Sequence, residues 1–191
     1  MNIKVIEKPI QISYDEIHEL LWRANEQNRR SGFHLRTAEL SGIELEKRIG
    51  KNGKCFVAMD GTKLIGTISV RLVERNTWYF KGLLPDYILA GVLPEYQGMH
   101  VNSMLAAKVF EFAGNNDFDA IELDTATNNL HAINVYKHQG FKIVDYVIHP
   151  ELDHDSVVMI KWLRKHKQNR FYAFTVCTCK RIKSKILRFC R

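Results

Sequence analysis

The apolar positions of this chain follow two rhythms, and the switches between them mark out its elements. Ile3 to Ile10 alternates enough to predict a first strand. Ser13 with Glu16 three residues later forms a capping-box pattern, which predicts a helix running through Ala24. Ser41 and Glu44 repeat the pattern before a shorter helix ending near Gly50, and residues 28–37 between them are polar and ambiguous. The stretch KCFVAMDGTKLIGTISVRLVE sets two apolar runs around Asp60-Gly61, a favoured tight-turn pair, and predicts a hairpin. PDYILAGVL, residues 85–93, predicts a strand buried on both faces. Val101, Met104, Leu105, Val109 and Phe112 then recur at helical spacing until Gly114. DAIELDTA alternates at Ile121, Leu123 and Thr125, and NNLHAINVYKHQGF is a helix stopped by Gly140. KIVDYVI and SVVMIKWL are two strands joined by the acidic turn HPELDHD. The order is strand, helix, helix, three strands, helix, strand, helix, two strands: an α/β (α+β) sandwich with helix-covered and hairpin portions.

Composition narrows the class. With 46% hydrophobic and 26% charged residues among 191, the chain is a soluble globular protein. No apolar run reaches the roughly 18–20 residues of a membrane span. The N-terminus lacks an apolar signal core, so a cytoplasmic location is expected. Cys55, Cys177, Cys179 and Cys190 staple nothing in the body, which fits a reducing compartment, and their spacing lacks the second ligand pair of a zinc site. The net charge of +7 is unevenly placed. From Lys161 onward there are 11 Lys and Arg and no acid; residues 1–160 carry 17 Lys and Arg against 21 Asp and Glu, a net of −4. A domain of residues 1–163 with a basic tail, 164–191, is therefore expected. The acidic body gives no electrostatic reason to bind nucleic acid.

Two motifs carry chemistry. In VLPEYQGMHVNSML, residues 92–105, a strand ends and a helix begins after a turn at Gly98. The first amides of such a helix lack intrahelical acceptors and, with the helix dipole, favour an anion. Taken alone, this is equally an ordinary strand-to-helix connection. In the second motif, Asn129, Ala132 and Tyr136 stand at i, i+3 and i+7 on one helix face. Tyr136 is either a proton donor at neutral pH or a ring packed on the sheet.

Together the motifs resemble the GNAT superfamily of GCN5-related N-acetyltransferases, over roughly residues 1–163 and most strongly over 87–146. The family signature R/Q-x-x-G-x-G/A is met by Gln97, with His100 and Asn102 in place of its glycines. Its later N-x-x-A and Y-x-x-x-G-F segments are met by Asn129, Ala132, Tyr136, Gly140 and Phe141. The resemblance implies a central mixed, mostly antiparallel twisted sheet flanked by helices, and acetyl-CoA as cosubstrate. It implies that the amides of Gln97, Gly98, Met99, His100, Val101 and Asn102 hold the pyrophosphate. Val92 pairs with pantetheine through its backbone, Asn129 contacts the pantetheine arm, and Tyr136 protonates the departing thiolate. The missing glycines delete no amide, and a helical conformation at these positions demands no positive φ. Asn102 can bond locally and His100 can add a charge-assisted contact to phosphate.

The group that takes the amine proton is not singled out. Asp86, Glu122, Asp124 and His34 are candidates, each equally a structural or solvated residue. The expected acceptor is a small amine, such as an amino sugar or amino acid derivative; the alternatives are a binding or scaffold module with a decayed cradle, or an adaptor docked through its tail. In that tail, Ile182, Ile186, Leu187 and Phe189 lie among five Lys and Arg, a pattern suited to the inner, anionic face of a membrane and equally to a solvated extension. A homodimer is left open.

Overall fold

The element order is β1 (Ile3–Glu7), α1 (Tyr14–Ala24), α2 (Glu26–Arg30), α3 (Gly42–Ile49), β2 (Lys54–Asp60), β3 (Lys63–Asn76), β4 (Lys81–Val92), α4 (Val101–Asn115), β5 (Ala120–Ala126), α5 (Leu130–His138), β6 (Lys142–Val147) and β7 (Ser156–Trp162). The structure, a computed structural model, describes residues 2–30, 39–149 and 154–163. The basic tail, His34 and most of the acidic β6–β7 turn lie outside the described residues, as do Cys177, Cys179 and Cys190. Except for α2, a five-residue helix at the edge of the polar stretch, the order is the one the hydrophobic pattern predicts.

Both capping boxes form. The Ser13 hydroxyl accepts the Glu16 amide and the Glu16 carboxylate accepts the Ser13 amide; Ser41 and Glu44 do the same at the start of α3. Boundaries differ where single residues override the pattern. β1 stops at Glu7 because Pro9 cannot donate to a ladder, and Ile10 is 91% exposed. The β2–β3 loop is Gly61-Thr62, one residue later than expected, since Asp60 still pairs with Lys63. β4 begins at Lys81 rather than residue 85, because Thr77 and Phe80 close a turn on each other: the Thr77 amide donates to the Phe80 carbonyl at 2.8 Å.

The chain divides into two compact units. The first comprises Met1–Val73 and Pro85–Asn116, with strands in the order β1-β2-β3-β4. Ile17 and Leu21 of α1 and Leu45 and Ile49 of α3 pack with Cys55, Val57, Ile88 and Leu89 in one buried cluster. Phe56, adjacent in β2 and therefore on the opposite face, packs its ring 6.3 Å from that of Phe112 on α4. Gly66 of β3 lets α4 lie close. A Cβ there would stand 3.1 Å from Leu105 and 3.2 Å from Val101, so the first turn of α4 is seated directly on the sheet. The buried stripe of α4 is Val101, Leu105, Ala106, Val109 and Ala113; Met104, expected in it, is 37% exposed.

The second unit comprises Glu74–Leu84 and Asp117–Arg191. β7 runs antiparallel between β5 and β6. β5 is buried at every position but Asp124, so the expected alternation is overridden: Glu122, a polar position, is 3% exposed. α5 is capped at its start by Asn129 and stopped by Gly140, whose φ of 93° suits a residue without Cβ.

Candidate functional site

The loop leaving β4 makes one 3-10 turn over Pro94–Tyr96, straightens at Gln97, and turns at Gly98 with φ 79°. His100 then adopts a left-handed conformation, φ 59° and ψ 11°, immediately before α4. The expectation that no positive φ is required is corrected at this residue. Asn102, by contrast, lies within α4 and is helical.

The start of α4 is open. Its first turn holds no acidic residue, and His100 provides no side-chain cap. Met104 N–H donates to the His100 carbonyl at 3.1 Å, which leaves the amides of Val101, Asn102 and Ser103 at the N-terminal end without an intrahelical acceptor. Uncapped amides, the positive end of a 15-residue helix and a glycine in the approach fit a pyrophosphate. Val92, at the end of β4, is half-buried, and its carbonyl accepts the Gln97 side-chain amide at 3.4 Å. Met99 is 42% exposed at the turn.

The left-handed cost of a non-glycine residue is roughly 1–2 kcal/mol, and glycine returns about 0.5–1 through the unfolded chain. His100→Gly is therefore expected to raise stability by up to about 1.5 kcal/mol, read as a higher urea midpoint. It also tests the imidazole as a ligand: unchanged acetyl-CoA affinity assigns the contact to the backbone, and a fall of tenfold assigns it to the side chain.

In the second unit, Asn129 stands just outside α5 as its N-cap, φ −81° and ψ 68°, rather than on the helix face shared by Ala132 and Tyr136. Its carboxamide oxygen accepts the Ala132 amide at 3.1 Å, which leaves the nitrogen end of the group as its donor. The Tyr136 ring meets Phe141 edge-on, centroids 6.0 Å apart. Burial, and secondarily the negative charge of Asp124, push the Tyr136 phenol up to about 12.

The four carboxylate and histidine candidates separate. Asp86, 2% exposed, accepts Arg71 Nε at 2.8 Å and pairs with its terminal nitrogen at 2.7 Å. Glu122 accepts Arg75 Nε at 2.7 Å and the Tyr79 hydroxyl at 2.8 Å. Asp124 is exposed and close enough to Tyr136 to act on its phenol. His34 lies outside the described residues. The Arg75–Glu122–Tyr79 cluster and a contact between His149 and Ser156 are features that no sequence motif marks. Arg71 and Arg75 stand at even spacing in β3, and each holds one buried carboxylate, Asp86 and Glu122 respectively.

Comparison with known proteins follows the same lines. The acetyltransferase (GNAT) family model matches residues 14–141, more than half of the chain. No curated protein matches it. Among solved structures, the ribosomal-protein-S18-alanine N-acetyltransferase from Escherichia coli is 15% identical, with a TM-score of 0.65, covering 88% of this chain and 98% of its own. A GNAT family acetyltransferase from Elizabethkingia anophelis with acetyl-CoA bound is 16% identical, TM-score 0.60, covering 85% of this chain and 99% of its own. Arabidopsis thaliana NAA60, in complex with a bisubstrate analogue, is 18% identical, TM-score 0.62, covering 84% of this chain and 100% of its own.

Proposed function

The chain belongs to the acetyltransferase (GNAT) family and is an acetyl-CoA-dependent N-acetyltransferase, and from that premise we propose that it acetylates a small amine by direct attack, with Asp124 taking the amine proton and Tyr136 serving the departing sulfur. Acetyl-CoA supplies an activated acyl group on a thiol leaving group. The backbone amides of Gly98, His100, Val101 and Asn102 hold its pyrophosphate; those of Gln97 and Met99, expected to join them, are instead donated to the carbonyls of Pro94 at 3.2 Å and Tyr96 at 3.4 Å. The Val92 backbone and the Asn129 carboxamide take the pantetheine arm.

The single observation that carries the acid–base assignment is the contrast among carboxylates. Asp86 and Glu122 are buried against arginines, while Asp124 is exposed and electrostatically linked to Tyr136. A base must be reachable by the amine it serves, and a carboxylate held by a guanidinium in the interior is not. The acidic body, net −4 over residues 1–160, supports a cationic or neutral acceptor.

The test is a thermal shift followed by an acceptor panel. At a ligand concentration a hundred times Kd, binding adds about 2.7 kcal/mol, roughly 5–10 °C for a chain of this size. No shift with millimolar acetyl-CoA favours the decayed scaffold. If cofactor binds, thiol release with glucosamine, lysine and spermidine is measured; turnover of none of the three overturns the small-amine reading. No helix among the described residues is long and apolar enough to cross a membrane. A cytoplasmic enzyme peripheral to the inner membrane face through residues 164–191 is the placement their charge supports.

A further inference from the structure

We propose that Lys161 of β7 is a positioning residue for Tyr136, holding the C-terminal end of α5 so that the phenol meets the departing sulfur. The inference rests on the role given to Tyr136 above. Nζ of Lys161 donates to the Gln139 carbonyl at 2.7 Å, and Gln139 is the residue that caps the end of α5.

The carbonyls at this end of the helix show why a donor from outside is needed. The last carbonyls of a helix have no intrahelical partner, and their partial negative charge favours a cation. The turn itself supplies amides for three of them. Gln139 N–H donates to the Val135 carbonyl at 3.1 Å, Phe141 N–H to that of Tyr136 at 3.0 Å, and Gly140 N–H to that of Lys137 at 3.0 Å. Nδ1 of His138 lies 2.7 Å from the Asn134 carbonyl. The Gln139 carbonyl comes after these, and the Lys161 ammonium serves it from the sheet. The Gln139 side chain does not fix the turn: its Nε2 and Oε1 are both buried with no hydrogen-bond partner among the described residues.

The link from Lys161 to Tyr136 is short and continuous. After Gln139 the chain turns at Gly140, φ 93°, directly against the ammonium, and a Cβ there would stand 2.8 Å from Nζ. Glycine is thus demanded twice, by its dihedral and by Lys161. The next residue, Phe141, is buried; its amide bonds the Tyr136 carbonyl and its ring meets the Tyr136 ring edge-on. Phe141 therefore holds Tyr136 at backbone and ring together, and Lys161 fixes the turn that delivers Phe141. Lys161 is itself placed by the ladder, opposite buried Ile121 on β5. A reacting group misplaced by about 1 Å loses up to about 100-fold in rate, so a small shift of this helix end is enough to matter.

A lysine that only stabilised the fold would act whether or not the Tyr136 hydroxyl is present, so the experiment compares the two backgrounds. With the acceptor turned over fastest among glucosamine, lysine and spermidine, Lys161→Met is expected to lower kcat about tenfold, with KM for acetyl-CoA unchanged. Methionine keeps the apolar stem and removes the ammonium. In a chain already carrying Tyr136→Phe, the same change should lower kcat less than about twofold, because the hydroxyl it positions is gone. Lys161→Gln, neutral but polar, is read in the same way and takes the place of Lys161→Met if that variant shows no cooperative urea transition. Wild-type kcat in the lysine variant, or an equal loss in both backgrounds, overturns the positioning role. Tyr136→Phe alone separates the two layers of the inference. If it keeps full kcat, the reading of Tyr136 fails and that of Lys161 with it; if it is slow while the lysine variant is not, the positioning role alone fails.

Discussion

Tyr136→Phe is expected to lower kcat about 100-fold while leaving acetyl-CoA affinity nearly unchanged. Phenylalanine keeps the ring, its edge-on contact with Phe141 and its burial, and removes only the hydroxyl. An interaction made only as the thiolate departs lowers kcat and kcat/KM together, which is the pattern to look for in steady-state rates at saturating acceptor. The value sits at the low end of the 10²–10⁴ range for general acids because a thiol of ordinary acidity, pKa about 8.5, already leaves well. Complete proton transfer from a phenol near 12 to such a thiolate is uphill by roughly 3.5 units, about 5 kcal/mol. In the proposed role the hydroxyl therefore acts first as a hydrogen-bond donor to developing negative charge, and its coupling to Asp124 is expected to strengthen it as the amine proton moves. Once Asp124 holds the amine proton, one of the two causes raising the phenol disappears, although burial, the larger one, remains.

The same shift makes a pH statement. A tyrosine whose folded pKa exceeds its unfolded value of 10 favours folding fully below pH 10 and loses that contribution as pH rises through about 12. Near neutrality it adds no slope. Tyr136→Phe should accordingly show a shallower alkaline fall in stability between pH 10 and 12. An activity limb near pH 10 from Tyr136 ionisation is not expected; finding one, or an unchanged kcat in the variant, removes Tyr136 from this role.

Much of the fold is legible in the sequence because local chemistry and tertiary demand agree there. Ser13/Glu16 and Ser41/Glu44 open helices where the pattern places them, and Gly140 closes one. The sequence failed where one residue's backbone state was decided from outside. His100 carries no mark of a left-handed conformation, and its φ follows from a chain that must turn between Gly98 and a helix seated against Gly66. Leu89, φ 55° inside β4, is likewise unmarked: its buried place in the α1–α3 core overrides the preference of a branched side chain. The candidate site divides the same way. Asn129 and Tyr136 stand at motif spacing and are read at once. The sorting of Asp86, Glu122 and Asp124 depends on which guanidinium lies opposite, a pairing between residues 15 and 47 positions apart that no local pattern encodes. His149 and Ser156 meet only because β6 and β7 pair in their register.

Arg75→Met is expected to destabilise the chain by about 3–5 kcal/mol, the largest stability effect among single changes considered, because it strands a buried carboxylate. Glu122 is the reason. Its side chain is 4% exposed, and Arg75 supplies two of its short contacts, Nε at 2.7 Å and a terminal nitrogen at 2.6 Å, both to one oxygen. The other oxygen accepts the Tyr79 hydroxyl at 2.8 Å. Burial first, then the Glu122 charge, hold the Tyr79 phenol well above its ordinary pKa, so it stays a donor at any working pH. One neutral hydroxyl cannot replace a guanidinium in compensating a buried charge. Methionine is chosen because it keeps the apolar stem of arginine and isolates the lost charge from lost packing. The cluster ties the end of β3 and the turn before β4 to β5, two positions before Asp124, so its failure should also loosen the proposed base. Arg75→Met combined with Glu122→Gln should recover most of the loss, since an amide in that position needs no counter-charge. Urea unfolding of the two variants decides the matter: a double variant no more stable than Arg75→Met alone would mean the arginine acts through packing, and a single variant within 1 kcal/mol of the parent would mean that water already reaches Glu122.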